Sequence, residues 1–256
     1  MKHFPDKDEI CFSVAQLFST SAERVQQKIL GALVPHSFAP SPMICYWPEL
    51  EMEELCRFVS QFCAYLNDDI TPQEKCRLMI LIYCHIMEAE FPSTVIWNLL
   101  RVMNDEAPSW VYYGINKKGE EFPCELPEKR YSEIKKLSEK VGMVVGNVLD
   151  NLWHNKLRNA FSHAQYIIHE NGDFLGGKNM SPITSNAISL SDTAASTGEN
   201  PYNYSFLEVK GLFEGTLNFL DSFIQSYRFI IEPYKTGQLF DIPTGHIRWD
   251  KQWVTK

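Results

Sequence analysis

The chain has 256 residues, of which 45% are hydrophobic, and it carries a formal net charge of −8. This length and composition suffice to bury a complete core, and we expect a single domain over residues 1–256. The acidic balance argues against the broad positive surface that binds nucleic-acid backbones, although it leaves room for a local basic patch.

The cysteines and the hydropathy of the chain bear on its compartment. Seven cysteines include no Cys-x-x-Cys pair, which argues against a disulfide framework or a zinc site. They lie among apolar residues, as reduced thiols in a core do. Since the sequence has no run of eighteen apolar residues and no signal-peptide pattern, it predicts a soluble, cytoplasmic protein without a membrane partner.

Most of the chain has the periodicity of helices, and prolines and glycines separate the segments. Helices are expected over 9–33, 49–66, 71–90, 92–103, 127–164 and 205–231. Thr71 with Glu74, and Ser205 with Glu208, have the spacing of capping boxes. The N-terminal helix and a proline-rich loop fill 1–47, the core spans about 48–232, and 233–256 form a tail that packs through Phe240, Trp249 and Trp253.

The connections between helices include two expected hairpins. Residues 104–127 contain several prolines and glycines and predict an irregular insertion or a small hairpin around 116–119. The Asn171-Gly172 pair between apolar flanks indicates a second hairpin, directly after the long helix. The segment 176–204 is rich in Ser, Thr, Asn and Gly and is expected to be a mobile loop.

The long helix over 127–164 carries the most informative pattern. At about 100° per residue, one stripe contains Val141, Val144, Val145, Val148 and Leu152, and Asn159 and His163 continue it. Small residues form a second stripe: Gly142, Gly146, Ala160 and Ala164. The apolar face therefore becomes polar at its C-terminal end, where Arg158 projects from the adjoining side and its long side chain can reach the same point.

These polar residues allow two interpretations. Asn159 and His163 can be buried groups satisfied by hydrogen bonds, with Arg158 in an ion pair. The string Leu157-Arg158-Asn159-Ala160-Phe161-Ser162-His163-Ala164, however, resembles the Arg-Asn-x-x-x-His motif of the HEPN superfamily of helical ribonucleases and nucleotide-binding domains. The hairpin and the amphipathic helix that follow match the arrangement of that family, and the resemblance covers about 48–232.

The resemblance implies an all-α fold, an antiparallel helical bundle with a small β-hairpin after the motif helix. It also implies a metal-independent endoribonuclease without a cofactor, in which the ribose 2′-hydroxyl attacks the adjacent phosphate. His163 would transfer protons, Arg158 would stabilise the charge on phosphorus, and Asn159 would orient either the histidine or a phosphate oxygen. Lys156 and His154 are flanking candidates for phosphate contacts, although surface roles in the structure are the simpler interpretation of both.

Two residues on the preceding helix complete the candidate site. His85 and Glu88 are three apart, and a hydrogen-bonded pair that supports Arg158 is favoured over a metal site. Because ribonucleases of this family pair two motifs and the chain has one, a homodimer with a composite active site is expected, with RNA as substrate.

The biological role that the resemblance implies is prokaryotic defence or a toxin, with an antitoxin or regulatory protein as partner. The alternative is a noncatalytic HEPN-like module that binds a nucleotide or a protein and keeps the motif for structure.

Overall fold

The computed structural model describes residues 4–25, 29–33, 48–109, 113–115, 121–123, 127–177 and 202–231. The described part of the chain is mostly helical, in agreement with the expected all-α class. Its helices are α1 Lys7–Arg24, α2 Ile29–Leu33, α3 Pro48–Tyr65, α4 Pro72–Glu88, α5 Glu90–Met103, α6 Pro127–Val141, α7 Val145–Leu152, α8 Asn155–Ser162 and α9 Phe206–Ile231. Its strands are β1 Tyr113–Ile115, β2 Glu121–Pro123, β3 Tyr166–Ile168, β4 Phe174–Gly176 and β5 Tyr202–Tyr204.

Helix α9 lies at the centre of the packing, against α1 on one side and α4 on another. Phe223 of α9 is buried between Phe18 and Phe91, with ring centroids 5.7 and 6.0 Å away in edge-to-face geometry. Such aromatic pairs stabilise a core beyond the area they bury. The core of the domain is therefore organised around this last helix.

The direction of the helices differs in part from an antiparallel bundle. Gly211 faces Phe4, Gly215 faces Ile10, and Phe223 packs on Phe18 further along, so α1 and α9 run in the same direction. Helices α4 and α5 follow each other along the chain, and their axes differ in direction by 41°. Pro92 explains the break, because its ring lacks an N–H and would clash with the Glu88 carbonyl in a continuous helix.

In the ranges that the structure describes, no single helix is both long and apolar enough to cross a membrane. Helices α4 and α5 have this length and composition only when they are taken together across their bend.

The two predicted capping boxes are confirmed. The Thr71 hydroxyl accepts the Glu74 N–H, and the Glu74 carboxylate accepts the Thr71 N–H. Ser205 and Glu208 exchange the same two bonds at the start of α9. Each box satisfies amide groups that a helix leaves without a partner in its first turn. Local side-chain chemistry thus fixes where α4 and α9 begin.

The predicted N-terminal helix over 9–33 is wrong in its length. Helix α1 ends at Arg24, where the Val25 N–H still donates to the Ser21 carbonyl at 3.0 Å. Helix α2 begins at Ile29 as a separate short element. The apolar periodicity continues across the break, and this explains why the sequence predicted one helix.

The predicted long helix over 127–164 is also wrong, since it consists of three helices. Gly142, with φ +75°, ends α6, and the Met143 N–H donates to the Ser138 carbonyl at 2.8 Å. This is the hydrogen bond of a Schellman motif, for which glycine is favoured. The break changes the register of the apolar stripe, so Val144, which was expected to be buried, is 42% exposed.

Of the expected stripe of small residues, Gly146 makes a close helix contact. A Cβ atom at Gly146 would lie 2.6 Å from Ser138 Cβ and 2.8 Å from Lys135 Cα. The Gly146 N–H also donates to the Ser138 hydroxyl at 3.0 Å. The absence of a side chain therefore lets α7 pack directly on α6.

A second break, at residues 153 and 154, separates α7 from α8 and is bridged by Tyr83 of α4. The Tyr83 hydroxyl donates to the Leu152 carbonyl at 3.0 Å and accepts the His154 N–H at 2.8 Å. The Tyr83 side chain is 1% exposed. Because buried backbone groups need partners, this one hydroxyl makes the break compatible with the core.

Both expected hairpins form. Strands β3 and β4 pair across Asn171-Gly172, and Gly172 has φ +87°. Strands β1 and β2 pair with Gly114 opposite Phe122. Strand β5, at the end of the segment expected to be a loop, pairs with β4 and completes a three-stranded sheet. Residues 178–201 and the tail 233–256, with its expected packing, lie outside the described residues.

The cysteines that the structure describes are free, and Cys56, Cys63, Cys76 and Cys84 are buried. Burial raises the pKa of Cys56 and Cys63 to about 11 and that of Cys76 and Cys84 to about 12. The expectation of reduced cysteines used as core residues is confirmed for these four. Cys45 and Cys124 lie outside the described residues.

We expect Tyr83→Phe to lower the free energy of unfolding by roughly 1–3 kcal/mol, because it leaves the Leu152 carbonyl and the His154 N–H without their buried partner. Urea denaturation measures this difference. Tyr65→Phe is the matched control, since Tyr65 is 54% exposed, and it should change the stability by less than about 0.5 kcal/mol. Equal effects of the two substitutions would contradict the bridging role of Tyr83.

Alkylation should separate the buried thiols from accessible ones. At pH 8, a thiol with a pKa of about 11 is a thiolate in roughly one molecule in a thousand, and the thiolate is the reactive form. Iodoacetamide should therefore modify Cys56, Cys63, Cys76 and Cys84 only after unfolding, as read by peptide mass mapping. Rapid modification of any of these four in the native protein would show that its site is open to solvent.

Candidate functional site

The residues of the Arg-Asn-x-x-x-His pattern lie on α8 and at its end. Leu157 and Ala160 are 1% and 2% exposed and fix one face of α8 in the core. Arg158 and Asn159 are half-buried, and His163 is exposed. Helix α8 packs against α4 and β4. The break before α8 therefore gives this short helix its own orientation, independent of α6 and α7.

Arg158 is held by two neighbours. Its Nε–H donates to the Glu88 carboxylate in an ion pair, and its Nη1 donates to Asn159 Oδ1 at 2.9 Å. The hydrogen bond to Glu88 raises the pKa of Arg158 above its ordinary value. A guanidinium has five N–H donors, and these two bonds use two of them. The remaining three N–H donors are on the Nη atoms of this fixed guanidinium.

The partial exposure of the Arg158–Glu88 pair limits its contribution to stability. The side chains are 25% and 33% exposed, so water screens their attraction. We expect a contribution of roughly 1 kcal/mol or less. The pair thus serves mainly to orient the guanidinium. Glu88 supports Arg158 by fixing its position.

His163 forms the C-terminal cap of α8, and its backbone N–H donates to the Asn159 carbonyl at 3.0 Å. Its imidazole is exposed and makes no hydrogen bond with the described residues. The next residue, Ala164, has φ +52°, and the Gln165 N–H donates to the Ala160 carbonyl at 2.8 Å. An alanine here adopts a conformation that favours glycine, so the backbone beside His163 is strained.

The structure brings some of the expected site residues together. Arg158, Asn159 and Glu88 form one hydrogen-bonded group. The apolar stripe does not continue from α7 into α8, because the helix is broken. His163 is five residues after Arg158, which corresponds to about 140° around the helix. No hydrogen bond among the described residues joins its imidazole to this group.

His85 does not form the expected hydrogen bond with Glu88. Its ring stacks on Phe58 of α3, with centroids 3.9 Å apart and planes 29° apart. Desolvation lowers the pKa of His85, and the charge of Glu88 opposes this shift. Within the described ranges, no three His, Cys, Asp or Glu side chains are placed to hold a metal ion, so His85 and Glu88 have no third ligand there.

Both ring nitrogens of His154, a candidate for a phosphate contact, lie near polar groups of the same chain. Its Nδ1 lies 2.8 Å from the Tyr204 hydroxyl, and its Nε2 lies 3.2 Å from the Asn151 carbonyl. Phe4 packs on the ring with centroids 5.6 Å apart. Lys156 is exposed on α8.

Comparison with known proteins finds no matching family model, curated protein or solved structure. The interpretation of this site therefore rests on its own residues and on the motif resemblance.

Two neighbours of the site were not singled out from the sequence. Phe58 lies on α3, 27 positions before His85. Its spacing of four from Phe62 indicates a shared helix face, but nothing in the sequence links it to His85. Tyr204 ends the segment that was expected to be a loop, so its contact with His154 had no local indication.

A double-mutant cycle should detect the Arg158–Glu88 interaction. With Arg158→Gln and Glu88→Gln, we expect a coupling free energy of roughly 0.5–1 kcal/mol in urea denaturation, because both groups are partly buried. The matched control is the pair Arg57 and Glu54, whose side chains are 62% and 63% exposed, and its coupling should be close to zero. Equal coupling in both pairs would contradict the fixed geometry assigned to Arg158.

Proposed function

We propose that the protein is a metal-independent endoribonuclease of the HEPN type, with Arg158, Asn159 and His163 as its catalytic residues. The observation that carries this proposal is the fixed guanidinium. Glu88 and Asn159 hold Arg158 through two of its five N–H donors, and the other three are on the Nη atoms of a side chain that is 25% exposed. A guanidinium held in this way is preorganised to bind phosphate oxygens.

The proposed reaction needs no external nucleophile. His163, as general base, takes the proton of a ribose 2′-hydroxyl, and the 2′-oxygen forms a bond to the adjacent phosphorus. The bond from phosphorus to the 5′-oxygen breaks, and a general acid protonates this leaving oxygen. The products are a 2′,3′-cyclic phosphate and a 5′-hydroxyl. Arg158 stabilises the negative charge on the phosphorane oxygens, and Asn159 orients the guanidinium.

A homodimer with a composite site is part of the proposal. Within one protomer, Arg158 points toward Glu88, whereas His163 is exposed at the end of α8. The second copy would bring another Arg158 and His163 to the same phosphate and so supply the general acid. Lys156, exposed on the same helix, would attract the RNA backbone. The proposed biological role is prokaryotic defence or a toxin, with an antitoxin or regulatory protein as partner.

One observation favours a second candidate function, a noncatalytic module that binds a nucleotide or a protein. The carboxylate of Glu88 neutralises Arg158, and the chain as a whole is acidic, with a net charge of −8. An arginine in an ion pair can serve structure alone. The two functions differ in whether the RNA is cut.

We expect the purified protein to cut single-stranded RNA in excess chelator and to leave cyclic phosphate ends. Arg158→Ala and His163→Ala should each reduce the rate by 100-fold or more, because one removes charge stabilisation and the other proton transfer. Gel electrophoresis and mass spectrometry of the fragments measure both effects. RNA with 2′-deoxyribose at the cut position should remain intact.

Phe12→Ala is the control, since Phe12 lies on α1 and is 62% exposed, and it should leave the rate unchanged. Mixing and refolding the Arg158→Ala and His163→Ala chains should restore part of the activity if two copies share one site. Intact RNA with every substrate tested would favour the binding module, and a monomeric mass for an active enzyme would contradict the composite site.

A further inference from the structure

Three aromatic rings of α3 and α4 are in contact near the surface of the domain. Phe62 packs on Phe58 with centroids 4.5 Å apart, and Phe58 stacks on His85 at 3.9 Å. The two phenylalanines are half-buried, whereas His85 is exposed. Phe58 packs against one face of the imidazole, and His85 remains exposed to solvent. His85 is therefore the exposed member of this group of rings.

His85 lies on the same side of α4 as Glu88, the residue that holds the guanidinium of Arg158. His85 and Glu88 are three residues apart on α4, which corresponds to a rise of about 4.5 Å along the helix. Glu88 in turn holds Arg158 through its Nε. The charge of Glu88 also acts on His85. The exposed imidazole is thus about one helical turn along α4 from the carboxylate that holds the guanidinium.

We propose that His85 is a base-stacking residue, which holds one nucleobase of a single-stranded RNA while an adjacent phosphate lies on Arg158. This inference rests on the proposed function and adds the direction in which the substrate crosses the site, from α8 over α4 toward α3. The nucleobase packs on the imidazole of His85, which is itself stacked on Phe58. Stacking of this kind tolerates any base, because each base has a π face.

The surroundings of His85 favour stacking over the binding of a phosphate by a cation. Packing against Phe58 desolvates the imidazole and lowers its pKa, and this effect outweighs the opposing charge of Glu88. The ring is therefore mainly neutral at pH 7 and presents an uncharged aromatic surface. Glu88 also directs the phosphate to the Nη end of Arg158, since its own carboxylate occupies the Nε side and would repel an anion there.

The test measures binding without cleavage. The probe is a fluorescently labelled 2′-O-methyl oligoribonucleotide, which lacks the attacking hydroxyl, and the readout is fluorescence anisotropy with the full chain. His85→Leu keeps an apolar contact with Phe58 but removes the ring, and it should raise the Kd about tenfold. His85→Phe keeps a flat ring and should bind within about twofold of the wild type.

Two controls separate stacking from other effects. Phe12→Ala removes a 62% exposed aromatic ring on α1 and should not change the Kd. An abasic version of the probe should bind the wild type and His85→Leu equally, because it offers no base to stack. Urea denaturation of each variant confirms that the chain is folded at the assay temperature.

The outcomes distinguish this inference from the proposed function. An unchanged Kd for His85→Leu, or an equal loss for His85→Leu and His85→Phe, overturns the stacking role even if the protein cuts RNA. A loss that is specific to His85→Leu supports stacking even if cleavable RNA stays intact, in which case only the nuclease proposal fails. If the wild type binds no probe at all, the stacking role is overturned as well.

Discussion

The hydroxyl of Tyr83 connects the core of the domain to the candidate site. It accepts the His154 N–H and donates to the Leu152 carbonyl, so both backbone groups at the break between α7 and α8 have a partner inside the core. An unpaired buried backbone group costs about as much as a lost hydrogen bond. Without the Tyr83 hydroxyl, these two groups would have partners only if α7 continued into α8 as one helix or if the break were exposed to water. The orientation of α8, and with it the position of Arg158, depends on this contact with α4.

The same helix also supplies the partner of Arg158. Tyr83 and Glu88 are five residues apart on α4, so one rigid element fixes both the start of α8 and the guanidinium on it. Tyr131 of α6 strengthens this arrangement, because its hydroxyl donates to the Met87 carbonyl at 2.8 Å and its ring stacks on Trp153. The site is built on packed helices, and this allows a half-buried charged group to keep a defined position.

The parts of the fold that the sequence predicted correctly are those controlled by neighbours along the chain. The capping boxes at Thr71 and Ser205 and the turn at Asn171-Gly172 depend on residues within a few positions, and all three are present. The break at Gly142 was missed, because a glycine within an apolar periodic segment is also tolerated inside a helix. The break at 153 and 154 depends on Tyr83, about seventy positions earlier, and no local pattern contains it.

In the candidate site, too, the sequence indicated some of the contacts and not others. The motif residues and the link between Glu88 and Arg158 could be proposed from spacing and from the resemblance. The stacking of Phe58 on His85 could not, since it depends on how α3 lies against α4. His163 is exposed because α8 ends at Ser162 and the chain turns at Ala164. The sequence does not indicate the left-handed conformation of Ala164, because alanine is a strong helix former.

The pairing of β4 with β5 has a consequence for how the chain tolerates change. Gly176 lies opposite Tyr202, so the chain leaves the sheet and re-enters it at adjacent positions. The entropy of closing a connection grows only slowly with its length. A connection of different length between β4 and β5 would therefore close at a similar entropic cost, while α8 keeps its place against β4.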